Sequence, residues 1–194
     1  NAVNAALPAY SNAVSAREVA FEPLSKLSTR ILNALKATDT TTQVDESATT
    51  LVRKIQGKRA TPKLTEEEKT AAKAAGTETK EVSSSQMSYD SRLDSFDKLI
   101  KHLTSIPLYA PNEADLKVAT LTTMLNDLKA KNTAVVATLV SLSNARIARN
   151  DLMYKANTGM LDIALDSKAY IKSAFGATSP QYKQVSKLKF TSPR

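Results

Sequence analysis

Apolar residues recur along this chain at helical spacing, and strand-like alternation never persists. Leu24, Leu27, Ile31 and Leu35 share one helical face after Val14 and Phe21. Pro23 interrupts that run, which predicts a kink or a fresh helix start. Val44, Ala48, Leu51, Val52 and Ile55 form a second stripe, with Gly57 as its stop signal. Tyr89, Leu93, Phe96, Ile100 and Leu103 step by 4, 3, 4 and 3, a heptad seam closed by Pro107. Asn112 then stands as an N-cap, with Glu113 and Asp115 in the first turn, ahead of Val118, Leu121, Leu125 and Leu128.

From Thr133 the pattern runs through Val135, Val136, Leu139, Leu142, Ile147, Leu152, Leu161, Leu165 and Ile171 to Phe175. Unbroken, it predicts a helix of about 42 residues, roughly 60 Å long at 1.5 Å per residue. Gly159 marks a place for a bend, and Gly176 and Pro180 end the helix. With no competing strand signal, the predicted fold is all-α, an antiparallel bundle of four to five helices in a single domain spanning residues 1–194. Within it, 1–56 reads as a first helical repeat and 57–82 as a flexible insertion. Residues 83–178 read as a helical hairpin and second repeat, and 179–194 as a basic tail. The 61–85 stretch has almost no large apolar residue, though Thr65 and Glu68 match a capping box for a short helix over 66–75.

The repeat is visible directly. Residues 1–17 (NAVNAALPAYSNAVSAR) align without gaps on 133–149 (TAVVATLVSLSNARIAR), with nine of 17 positions identical. Further on, ILNALKAT at 31–38 parallels IKSAFGAT at 171–178. A duplicated long helix predicts that the two copies share a core, with Leu7 and Leu139 in matching environments. Ala13, Ala16, Ala145 and Ala148 allow close approach, and Arg17 and Arg149 take equivalent positions reaching solvent or a helix-end carboxylate.

Composition removes most enzyme signatures. The 194 residues include no Cys, one His and four Gly. This excludes disulfides, thiolate metal sites, a cysteine nucleophile, multi-histidine metal centres and glycine-rich phosphate loops. No apolar run approaches the roughly 20 residues needed to cross a bilayer, and no signal peptide is visible, so the chain reads as soluble with its compartment open. His102 lies beside the third seam, with Asp97 and Asp94 five and eight residues away, and reads as a boundary histidine rather than a general base. The pairs Asp94/Asp97 and Asp162/Asp166 alternate with Lys and Arg as a solvated face does. The sequence thus predicts no metal, no cofactor and no catalytic residue. The TDTTT run at 38–42 and Ser83, Ser84 and Ser85 read as caps and turns.

The net charge of +8 is unevenly placed: +3 over 1–60, −1 over 61–110 and +6 over 111–194. Two groups are candidate polyanion contacts: Arg53, Lys54, Lys58 and Arg59, and Lys183, Lys187 and Lys189 in the tail. Tyr182 and Phe190 interleave with the tail lysines, as at single-strand-binding surfaces. Docking of Val185, Leu188 and Phe190 back onto the bundle explains the tail equally well.

SNARIARN at 143–150, AFGATSPQYKQVSKLKF at 174–190 and RKIQGKR at 53–59 resemble uncharacterised helical-bundle proteins of Bacteroidetes-type bacteria. That resemblance implies an all-α fold, often with a duplicated helical unit, and supplies no catalytic residue, cofactor or substrate. The expected function is a non-enzymatic scaffold or partner-binding module, acting on a protein partner or as a homo-oligomer. The alternatives are polyanion binding, to nucleic acid or an anionic surface, and a helical protein that associates with membranes.

Overall fold

The structure, a computed structural model, describes residues 1–58 and 87–191, with positions 65, 67, 70, 71 and 74 between them. Among the described residues the fold is all-α, a helical bundle without a strand. Most of the insertion expected at 57–82 lies outside the described residues, as do Ser83, Ser84 and Ser85. Glu67, Thr70, Ala71 and Ala74, within the short helix predicted there, are helical and exposed.

The chain divides into two compact units, residues 13–135 and residues 1–12 with 136–194. The first is built on the four apolar stripes. Helix α1 spans Ala2–Phe21 and α2 spans Leu24–Lys36, with Pro23 at the N-cap of α2. Helix α3 spans Thr42–Gln56 and ends at Gly57, whose φ of 67° is left-handed. The Gly57 and Lys58 N–H groups donate to the Lys54 and Arg53 carbonyls, closing the α3 terminus. Helix α4 covers Tyr89–Thr104 and is capped by Ser88, whose hydroxyl accepts from the Ser91 N–H at 3.1 Å. A 3₁₀ turn at Ala114–Leu116 precedes α5, Val118–Tyr154. Phe21, Leu24, Ile31 and Leu35 close on Ala48, Val52, Ile55, the α4 seam and Leu121, Leu125 and Leu128. Each of these faces is buried because its spacing matches 3.6 residues per turn and a neighbour covers it.

Two expectations about capping are corrected. Asn112 does not cap the fourth stripe: 114–116 forms a 3₁₀ turn, α5 begins at Val118, and Asp115 pairs with Arg30 instead of facing a helix N-terminus. Thr41 occupies the α3 N-cap position without a side-chain cap. Thr40 instead donates to Asp45 at 2.9 Å, and Thr38 donates to the Leu35 carbonyl at 2.6 Å.

In the second unit, the helix expected to run from Thr133 to Phe175 is part of two. Helix α5 already starts at Val118 because nothing between Leu128 and Thr133 breaks it, and it stops at Tyr154. Helix α6 covers Met160–Phe175 and α7 covers Pro180–Ser186. The break rests on Asn157, held at φ 65°, whose N–H donates to the Asp162 carboxylate at 2.8 Å. The Gly159 N–H folds back to the Lys155 carbonyl at 2.7 Å, leaving no space for a Cβ beside the Lys155 backbone. The residues of the two aligned segments can be compared directly. Leu7 and Leu139 are 44% and 43% exposed. Ala13 and Ala145 are half-buried, and Ala16 and Ala148 are exposed. Arg17 and Arg149 differ: Arg149 is exposed and bonds its neighbour Asn150, whereas Arg17 is half-buried and bonded to Asn132.

Candidate functional site

In the 13–135 unit the ends of α1 and α4 meet in a polar-aromatic cluster. The Arg17 guanidinium lies 3.9 Å from the centre of the Tyr89 ring. Tyr89 meets Phe21 edge to face at 4.8 Å, and Arg92 sits 5.3 Å over Phe21 while donating to its carbonyl at 3.3 Å. Arg17 donates to the Asn132 side-chain oxygen Oδ1 at 3.0 Å, and the Asn132 side-chain amide Nδ2 donates to Asp90 at 2.7 Å. Burial lowers the Arg92 pKa, since desolvation penalises its charged form. The cluster ties α1, α4 and α5 together. The sequence carried only one trace of it, Tyr89 at the head of the heptad seam.

On another face of this unit an open cleft of about 510 Å³ is lined by Arg30, Asn33, Thr38, Tyr109, Glu113 and Leu116. Arg30 grips Asp115 through its two terminal guanidinium nitrogens, and this pairing holds the Asp115 carboxyl below its ordinary value. Tyr109 is buried and donates to the Leu116 carbonyl at 3.0 Å. Burial, and then the nearby carboxylates, push its pKa up to about 12. The cleft therefore holds a guanidinium already paired and a phenol already bonded.

His102 is half-buried, its Nε2 lying 3.1 Å from the Val44 carbonyl. That contact joins α4 to α3. Asp94 pairs with Lys98 at 2.7 Å and Asp97 with Lys101 at 2.8 Å, so these carboxylates act as i, i+4 surface pairs. The lysine hydrogen bond lowers the Asp97 pKa. Asp162 is committed to the Asn157 turn. Among the described residues no three His, Cys, Asp or Glu side chains converge as metal ligands.

The candidate polyanion contacts fall in different units. Arg53, Lys54 and Lys58 are exposed at the C-terminus of α3, where cations complement the helix dipole, and Arg59 lies outside the described residues. Lys183, Lys187 and Lys189 are exposed on and after α7. The tail docks on α6: Lys168 donates to the Leu188 carbonyl at 2.8 Å and to the Ser186 carbonyl at 3.3 Å. The Lys168 and Lys172 ammoniums each sit 5.9 Å over a ring, that of Phe190 and that of Tyr182.

The same unit presents large apolar side chains to solvent. Val136, Leu139, Val140, Ile147 and Leu152 are exposed on α5, and Met160, Ile163, Leu165, Tyr170 and Phe175 on α6. Helices α6 and α7 bury none of their own residues. Among the described residues no helix is long and apolar enough to cross a membrane. No family model matches the chain, and no curated protein or solved structure matches it.

Proposed function

We propose that this protein is a non-enzymatic helical scaffold or partner-binding module whose binding surface lies in residues 136–190. One observation carries the reading: although Leu142 is buried, most large apolar side chains of α5 and α6 in that unit stay exposed. Val136, Val140 and Ile147 recur at coiled-coil-like spacing on α5, and Met160, Ile163 and Tyr170 do so on α6, all exposed. A contiguous exposed apolar face on a folded domain marks an interaction surface. The 13–135 unit spends its comparable stripes on its own core, and its polar residues pair with one another, which supports a scaffolding role for it. A photo-reactive residue at Val140, compared with one at the exposed α3 position Glu46, tests the reading in an extract of cells that make the protein. Defined adducts from position 140 alone are expected. Adducts from neither position, or equally from both, would sink it.

Binding to a polyanion is the second reading, favoured by the exposed Lys183, Lys187 and Lys189. The ring contacts of Tyr182 and Phe190 weigh against base stacking as its mode, because both rings already face lysines of α6.

A further inference from the structure

Charge is segregated along the α6–α7 hairpin. Asp162 and Asp166 lie near the start of α6, and from residue 167 to residue 191 there are five lysines and no carboxylate. The turn between the helices lies in a ten-residue stretch, 173–182, without any charged side chain. Within it Phe175 is 58% exposed at the end of α6. Gly176 follows at φ 87° with open space around its Cα, and Ala177, Thr178 and Pro180 add no bulk. Behind this uncharged tip stand Lys172 and Lys183, then Lys168, Lys187 and Lys189. Tyr170 and Leu188, 73% and 54% exposed, lie at the level of the lysines.

We propose that this hairpin tip docks on an anionic lipid surface. The proposal rests on residues 136–190 being the binding unit, and it names the partner. An apolar tip backed by a basic collar matches the layers of a bilayer surface. Phe175 reaches the acyl boundary while the exposed Lys183, Lys187 and Lys189 lay their stems along apolar surface and turn their ammoniums to the phosphates. Each such lysine adds attraction to an anionic leaflet that falls off within a Debye length. Two rings on α6 are free, but Tyr170 and Phe175 are five residues apart and point in different directions. They form no platform on which successive bases stack, which favours lipid over single-stranded nucleic acid.

The chain contains no Trp, so Phe175→Trp places a single reporter at the tip. The full chain carrying it is mixed with vesicles of phosphatidylcholine alone, vesicles with one third phosphatidylserine, and oligothymidine. Co-sedimentation and a blue-shifted indole emission with the anionic vesicles only are expected. The combined Lys183→Glu, Lys187→Glu, Lys189→Glu variant should abolish both signals. Phe175→Ser with Tyr170→Ser should weaken sedimentation about tenfold while circular dichroism stays unchanged. The proposal fails if anionic vesicles leave the protein in the supernatant at low salt, or if neutral vesicles bind it equally. It also fails if oligothymidine binds as tightly while the indole stays in water, the signature of general polyanion contact. Failure here, with the adducts from position 140 intact, removes the lipid partner and leaves the binding unit standing.

Discussion

Tyr109 is buried although it belongs to a loop, because its ring closes the core between α4 and α5 and its hydroxyl finds the Leu116 carbonyl. Its pKa of about 12 exceeds the ordinary 10.0, so the folded state holds its proton more tightly than the unfolded chain does. This contribution is complete below pH 10 and is lost as pH rises towards 12. Tyrosinate absorbance should therefore show one phenol titrating late, and Tyr109→Phe should remove that late step. The same variant should lower stability by about 1 kcal/mol near neutrality. Arg17 over Tyr89 offers a second residue-scale test. Chemical denaturation of Arg17→Met, Tyr89→Leu and the double variant should give a coupling energy of about 1 kcal/mol, since the pair is partly desolvated. Simple additivity would show the stacking to be incidental. Neither contact was legible in the sequence, because Tyr109 sits in aperiodic PLYAP and Arg17 meets Asn132 across 115 positions.

Four apolar stripes could be read from the chain almost residue by residue. Leu24, Ile31 and Leu35, the α3 stripe, the α4 seam and the start of α5 all face the core as their spacing requires. Spacing says that a stripe needs a cover without saying which cover. Thus Val136, Leu139 and Ile147 looked like core and are exposed. The break after Tyr154 was hidden for another reason: Gly159 was its only visible mark, while the turn depends on an unusual φ at Asn157 and on Asp162. Candidate binding lysines were legible as charge and the docking of Phe190 as one of two readings of the tail, whereas the seat of Tyr182 against Lys172 was not. Two glycines separate these kinds of break. Gly57→Ala should cost about 1 kcal/mol through its positive φ, and the flexible Met87 side chain beside it must also move to admit the Cβ. At Gly159 the obstacle is the Lys155 backbone, which cannot step aside. Gly159→Ala should thus rearrange the 155–159 turn, seen as lost protection at the Gly159 amide, while leaving the thermal unfolding of 13–135 unchanged.

For the whole molecule, the contrast between a unit with a closed core and one whose last two helices bury nothing predicts uneven local stability. Hydrogen exchange should protect α2, α3 and α4 most and release α6 and α7 first. Equal protection throughout would mean that α6 and α7 are held by more than the contacts described. In acid the Arg30–Asp115 pair weakens. The Asp115 pKa is lowered on folding, so its contribution is present above the ordinary value of 3.8 and is lost as pH falls through the folded one. Both side chains are about half exposed, so added salt should shrink that effect.

The discontinuous make-up of the second unit has a consequence for how the chain is made. Residues 1–12 leave the ribosome ahead of residues 13–135, yet their unit is completed only by residues 136–194, more than a hundred positions later. At about 5–20 residues per second that interval is on the order of ten seconds. Throughout it, residues 13–135 hold every residue of their core and can close it as they emerge. The first turns of α1, with Val3 and Leu7, meanwhile wait for the rest of their own unit. Vectorial synthesis therefore gives the two units an order of birth, with residues 13–135 complete before the helices of 136–194 emerge.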